Sequence, residues 1–253
     1  MAPEATVRET MATRNRTPWM VGASTAVLLA CVASSSAVGG TASESRSEAT
    51  ACAPGEHALK LGGGRTAVMR VTAGGRGGRK ALLLVLHGAG SKSRDGLRAF
   101  RGGWNEPGLV MVAPASAGST WSVLYGTDTD LAHVNRAVAR ALARCPIDRS
   151  RTAVGGFSDG ATYALSLGLT NGDLFHAVIA LSPGGAEARG TVGRPRVFVA
   201  HGTRDTVLPV STSDLIVRKL RASGYPVTYR RFAGGHEAPV SISKAAVRWF
   251  LRS

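Results

Sequence analysis

The sequence predicts an α/β protein built on one mostly parallel sheet with helices on both faces and no sizeable lid. Three observations predict it. Short apolar runs alternate with segments of helical spacing, and several runs are apolar at every position rather than at every second one. A strand buried on both faces of a parallel sheet has no solvent side, so its sequence does not alternate. The residues able to do chemistry also fall just after these runs, where ligands bind in such sheets.

The elements follow in order. Residues 56–72, "EHALKLGGGRTAVMRVT", are expected to form two short strands joined through Gly62–Gly64. These glycines have no following Lys-Ser/Thr and open no helix, so they are turn residues and not a phosphate loop. Ala81–Leu86 and Leu109–Val112 are expected as buried strands. Leu131–Ala143 carries Leu131, Val134, Val138 and Leu142 at helical spacing, with Asp128 or Asp130 suited to its start. Thr152–Val154 is expected as a strand and Ala161–Leu169 as a helix ended by Asn171-Gly172. Strands at Ala177–Leu181, Arg196–Ala200 and Val227–Phe232, with helices at Ser213–Ala222 and Ser241–Leu251, complete the pattern.

With 253 residues, 44% of them hydrophobic and 19% charged, the chain suits one catalytic-size domain rather than a disordered or fibrous protein. The balance is basic, 31 Lys+Arg against 16 Asp+Glu, for a formal charge of +15. Such charge favours polyanions, among them an anionic cell-envelope polymer. The arginines are scattered and no aromatic-interleaved motif accompanies them, which argues against a nucleic-acid role.

The amino terminus has the form of an export signal. Arg14 and Arg16 precede an apolar run from Trp19 to Ala33 that dissolves into Ser, Gly and Ala. The run is shorter than a membrane span requires. Residues 1–40 are therefore expected as a secretory or lipoprotein signal, 41–55 as a flexible Ser-rich tether, and 56–253 as the catalytic domain. Met11 serves as well as Met1 for the start. Leu28-Leu29-Ala30-Cys31 resembles a lipobox, which implies a lipid anchor on Cys31; the alternative is cleavage near Ser35–Ala37. In an exported chain Cys52 and Cys145 then remain as a candidate disulfide.

Four polar features stand at strand ends. Ser158 lies in "GGFSDGA" after Val154, "HGAG" follows Leu86, Asp205 lies in "HGTRDTVLP" after Ala200, and His236 lies in "GGHEAP" after Phe232. A serine hydroxyl is a poor nucleophile until an imidazole takes its proton. The imidazole in turn needs a carboxylate to fix its tautomer. The order Ser158, Asp205, His236 is that of a nucleophile-elbow triad. Gly156 and Gly160 flank the serine because a sharp strand-to-helix turn leaves no space for side chains. The backbone N–H of Asp159, at a helix start, and that of Ala89 are expected as oxyanion donors, with the Asp159 side chain outside the triad. Glu237 and Asp214 are weaker acids for the role, and His87 and His201 are expected to shape turns. No grouping has metal-ligand spacing, and neither metal nor cofactor is expected.

From about Leu82 to Leu251 the chain resembles the α/β-hydrolase superfamily, in particular esterases of the phospholipase/carboxylesterase type and polyhydroxybutyrate-depolymerase-like esterases. The residues that carry the likeness are "LLLVLHGAG", "CPIDRSRTAVGGFSDGATYALSLGL", "AVIALSPG", "VFVAHGTRDTVLPV" and "GYPVTYRRFAGGHE". The resemblance implies Ser158 as nucleophile, His236 as base, Asp205 as its orienter, and Ala89 with Asp159 as oxyanion donors. One departure is Ala161, where these families more often carry a second glycine.

The segment "SPGGAEARGTVGRP" between two strands is too short for a helical lid, which disfavours a lipase and points to short or small-acyl esters. Polyester or feruloyl-type substrates, a peptidase and a non-catalytic binding module are the alternatives. Trp121, in the loop "ASAGSTWSVLY", is a candidate wall of the substrate pocket, with core packing as its other reading.

Overall fold

Strand β3 (Lys80–Leu86) shows how the sheet is built: Leu82, Leu84 and Leu86 join one apolar cluster, while Ala81, Leu83 and Val85 join the other. Successive side chains leave a strand on opposite faces, so its unbroken apolar sequence fills two cores at once. The computed structural model describes residues 52–252 apart from 128, 187 and 189. They fall in the unit Gly40–Ser253. The signal assigned to residues 1–40, most of the tether and the Cys31 lipidation site lie outside them.

The sheet has eight strands in the order β1-β2-β4-β3-β5-β6-β7-β8. Strands β1 (Gly55–Gly62), β2 (Arg65–Val71) and β4 (Leu109–Pro114) pair antiparallel. From β4 through β3, β5 (Ile147–Phe157), β6 (Ala177–Leu181), β7 (Arg196–Gly202) and β8 (Val227–Phe232) all pairing is parallel. Helices α2 (Leu131–Arg144), α3 (Asp159–Thr170) and α4 (Val210–Ala222) contribute to one cluster. Helices α1 (Ser93–Ala99) and α5 (Val240–Leu251) contribute to the other.

Three differences from the sequence pattern have physical reasons. Strand β5 runs five residues before and three beyond the expected Thr152–Val154, because Lys80 pairs with Ile147, Leu82–Leu86 with Thr152–Gly156, and Ala153–Phe157 with β6. Cross-strand bonds thereby carry Gly155 and Gly156, poor strand residues by themselves. Helix α1 lacks an apolar stripe and has Gly96 inside it; a Cβ there would lie 3.4 Å from Val85 O, so the glycine lets the helix rest on β3. Asp130 precedes α2 but does not cap it. Its buried carboxylate instead accepts the N–H groups of Ala117 (2.7 Å) and Ser122 (2.9 Å), which shapes the loop after β4. Asp128, the other acid considered for that helix start, lies outside the described residues.

Cys52 and Cys145 form the expected disulfide, tying the segment before β1 to the end of α2.

Candidate active site

Ser158 sits between the last residue of β5 and the first of α3 with φ +56° and ψ −124°. Positive φ is unfavourable for a residue with a Cβ, so the surrounding structure must hold it there. Its N–H donates to Leu181 O (2.9 Å), and its carbonyl accepts Ala161 N (2.9 Å) and Thr162 N (3.1 Å). The flanking glycines leave room for this bend. A Cβ on Gly156 would lie 2.1 Å from Gly160 O, and one on Gly160 would lie 2.2 Å from Leu86 O.

Three distant segments meet at this serine. His236 Nε2 lies 2.9 Å from Ser158 Oγ, and His236 Nδ1 lies 2.7 Å from Asp205 Oδ2. The other carboxylate oxygen of Asp205 accepts the N–H groups of Val207 (3.0 Å) and Leu208 (2.8 Å). Burial pushes the Asp205 pKa up, but the Leu208 N–H, His236 and the Val207 N–H outweigh it and hold the carboxyl below its usual value. The imidazole packs against Phe157, 4.8 Å between ring centres. Gly202 admits the histidine loop: a Cβ on it would lie 2.2 Å from Gly235 O.

The loop after β3 passes directly beside the serine, since a Cβ on Gly88 would lie 3.3 Å from Ser158 Cβ. The backbone N–H groups of Ala89 and Asp159 meet no acceptor among the described residues. Such unpaired donors at a helix start and in an adjoining loop suit an anionic oxygen. The loop is held from the far side. Gly90 N donates to Ser119 O (2.7 Å), Ser116 N to His87 Nε2 (3.0 Å), and Thr120 Oγ1 to Asp159 Oδ2 (2.7 Å). With Nε2 accepting, His87 carries its proton on Nδ1 and donates to Gly88 O (2.8 Å). Burial lowers the His87 pKa, which favours this neutral form.

Trp121 is not a pocket wall. It is fully buried, tilted between His87 and Tyr163, and its Nε1 donates to His87 O (2.8 Å). A buried indole needs a partner for its N–H, and here that partner is the loop beside Ser158. Asp214 is held by Tyr229 (2.7 Å) and Arg231 (2.6 Å), away from the histidine. His201 does more than shape a turn: its Nε2 lies 2.8 Å from Leu208 O and 3.2 Å from Asp205 Oδ2, and its Nδ1 lies 2.6 Å from Ser213 Oγ. Ser182, beside Ser158 across the β5–β6 register, also has positive φ (+50°), and its buried Oγ has no partner. Neither residue carries a distinguishing sequence signal, because both roles depend on contacts made only after folding.

A hydroxyl, an imidazole and a carboxylate at these distances can move a proton off the hydroxyl and stabilise the resulting imidazolium. Residues 125–252 match the family described as Phospholipase/Carboxylesterase. Nothing among the curated proteins matches the chain. Similar solved structures include esterase PE8, 23% identical with a TM-score of 0.59 over 73% of this chain and 96% of that one. The Bacillus cereus carboxylesterase is 19% identical with a TM-score of 0.57 over 76% of this chain and 95% of that one. An S-formylglutathione hydrolase from Staphylococcus aureus is 15% identical with a TM-score of 0.62 over 79% of this chain and 98% of that one. At such identities the structures establish the shared fold, and the family match spans just over half of the chain. The chain therefore belongs to the phospholipase/carboxylesterase family and is a carboxylic ester hydrolase of the α/β-hydrolase fold.

Proposed function

We propose that the chain is an exported serine carboxylesterase that cleaves short-chain or small-acyl esters through Ser158, His236 and Asp205. The observation that carries this reading is the pair of hydrogen-bond distances, 2.9 Å and 2.7 Å, linking hydroxyl to imidazole to carboxylate. Ser158 Oγ attacks the ester carbonyl while His236 Nε2 takes its proton. The N–H groups of Ala89 and Asp159 receive the negative charge that develops on the carbonyl oxygen. Collapse breaks the bond to the alcohol, which leaves with the proton from His236, and the acyl group stays on Ser158. Water then repeats the cycle and releases the acid.

The reach of the site supports this substrate class. Between β6 and β7 the described residues form no helix, and no helical insertion follows β8 before α5. An open approach suits small soluble esters and also admits a polymer chain. p-Nitrophenyl esters of graded acyl length, a polyhydroxyalkanoate film and a feruloyl sugar ester separate these substrates. Activity that peaks at short acyl chains supports the reading; activity confined to the film, to the aromatic ester or to peptides replaces it. Ser158→Ala is expected to abolish fluorophosphonate labelling and to lower kcat by about 10⁶-fold. Labelling that survives this change would overturn the assignment of the nucleophile.

Export is supported by the Cys52–Cys145 disulfide, a bond that persists in oxidising compartments. The mass of the mature amino terminus distinguishes a lipid on Cys31 from cleavage near Ser35–Ala37. An unprocessed amino terminus in the native host would defeat export.

A further inference from the structure

At the opposite end of the sheet from Ser158, a cavity of about 610 Å³ opens between the turn before β3, the turn before β4, the start of β5 and the end of α5. Four arginines line it, Arg76, Arg151, Arg248 and Arg252, with Glu106 as the one carboxylate among its described residues. Glu106 pairs with Arg248 at 2.7 Å and Arg151 lies in the field of the Asp148 carboxylate, so among the described residues Arg76 and Arg252 are left without a carboxylate partner. Lys80, buried behind the turn and donating to Thr72 O (2.8 Å), places a further cation nearby with only carbonyl partners. From Arg151 to Phe157 along β5 is roughly 20 Å at the rise of an extended strand, so this cavity is separate from the serine site.

Capping of α5 accounts for part of the cluster. Arg151 Nη2 donates to Leu251 O (2.9 Å) and Arg252 Nε to Arg248 O (3.3 Å), as expected for cations at a helix carboxyl end. Each guanidinium carries five N–H donors, however, and one or two carbonyl bonds leave the rest. Among the described residues Arg76 has no side-chain partner, and Arg151 Nε is buried without an acceptor. Planar guanidinium groups bind phosphate through paired N–H donors, and several of them facing one concavity repel one another until an anion enters.

We propose that this cavity is a binding site for a compound carrying two or more phosphate groups. Its volume exceeds what a single phosphate fills, and the uncompensated guanidinium groups of Arg76 and Arg252 beside Arg151 favour an anion that carries several charges. The phosphates are those of a soluble oligophosphate or of the phosphodiester backbone of an envelope polymer. The site would turn the diffuse +15 charge of the chain into a localised attachment point that leaves the serine free.

Calorimetric titration of the full chain with phosphate, pyrophosphate and tripolyphosphate at low salt tests the proposal. A phosphodiester oligomer as a fourth titrant identifies the source. Affinity is expected to rise with the number of phosphate groups. Arg76→Glu/Arg252→Glu should weaken tripolyphosphate binding at least about tenfold, as the loss of charge-assisted hydrogen bonds implies. Arg140→Glu/Arg218→Glu, two exposed arginines elsewhere with the same change in net charge, should weaken it much less. Equal weakening in both pairs would mean diffuse charge attraction and would overturn the site, as would unsaturable binding by the unaltered chain. Arg76→Gln/Arg252→Gln repeats the comparison with a milder change. Hydrolysis of a neutral p-nitrophenyl ester should be the same in all variants, so failure of the anion site and failure of the esterase reading are separately visible.

Discussion

His201 Nε2 lies 3.2 Å from Asp205 Oδ2, and both side chains are completely buried. The same oxygen is 2.7 Å from His236 Nδ1, so two imidazoles share one carboxylate oxygen. Leu208 O on one side and Asp205 Oδ2 on the other are both acceptors, which fixes the proton of His201 on Nε2 and leaves Nδ1 to accept from Ser213. His201 is thus one of the donors that hold the Asp205 carboxylate in place against His236. His201→Ala should lower kcat by roughly tenfold with little change in KM. His201→Gln, which can still donate, should recover most of that loss. A loss of stability with kcat unchanged would reduce His201 to packing.

Thr120 donates to the Asp159 carboxylate at 2.7 Å, and Asp159 follows the serine. This bond ties the loop after β4 to the turn whose N–H is assigned to the oxyanion. Thr120→Val and Asp159→Ala should each lower kcat by about tenfold with little change in KM, and the double variant should be no worse than either single one. Additive losses would mean that the two side chains act separately.

A methyl group on Gly160 would meet Leu86 O and His87 O at 2.2 and 2.5 Å. Both obstacles are backbone and cannot swing aside. Gly160→Ala should destabilise the fold by about 1–3 kcal/mol or more in urea denaturation and displace the Ala89 loop, with kcat falling in parallel. Gly90→Ala, where nothing lies within 4 Å, is the contrasting case: its strain comes only from φ +67°.

The disulfide joins residues 93 positions apart, a long loop whose closure restricts the unfolded chain. Cys145→Ser is expected to lower stability by roughly 2–5 kcal/mol. Cys52→Ser should match it, and the double variant should add little. Equal melting of oxidised and reduced protein would remove the bond from the stability of the fold.

Burial lowers the pKa of His87 below the ordinary value of about 6.5. The unfolded chain therefore takes up a proton that the folded chain resists, and folding stability must fall as pH drops through and below that value. Urea midpoints measured from about pH 7 to about pH 5 should decline, and His87→Gln should flatten the decline. An unchanged slope would show that other groups carry it.

The candidate triad residues were legible because Ser158, Asp205 and His236 each follow a strand and arrive in the order of a nucleophile-elbow hydrolase. Asp159 was legible only as a backbone donor. Its side chain found its partner in Thr120, 39 residues earlier, and no local pattern encodes such a pairing. Trp121 stayed open between pocket wall and core because an aromatic residue in a loop beyond a strand looks the same whether it turns toward solvent or toward the core. Its indole N–H and the carbonyl of His87 decided the matter.

By itself the sequence determined the parallel α/β architecture, since runs apolar at every position have nowhere to go except a sheet covered twice. It also determined where the serine, acid and base lie along the chain. Only the tertiary structure decided what surrounds them: the second imidazole on Asp205, the strained Ser182, and the arginines of three separate segments gathered at the far end of the sheet. Periodicity reports which face of an element is buried. Hydrogen bonds and charge convergence between elements depend on register and crossing, which are fixed when the whole sheet assembles.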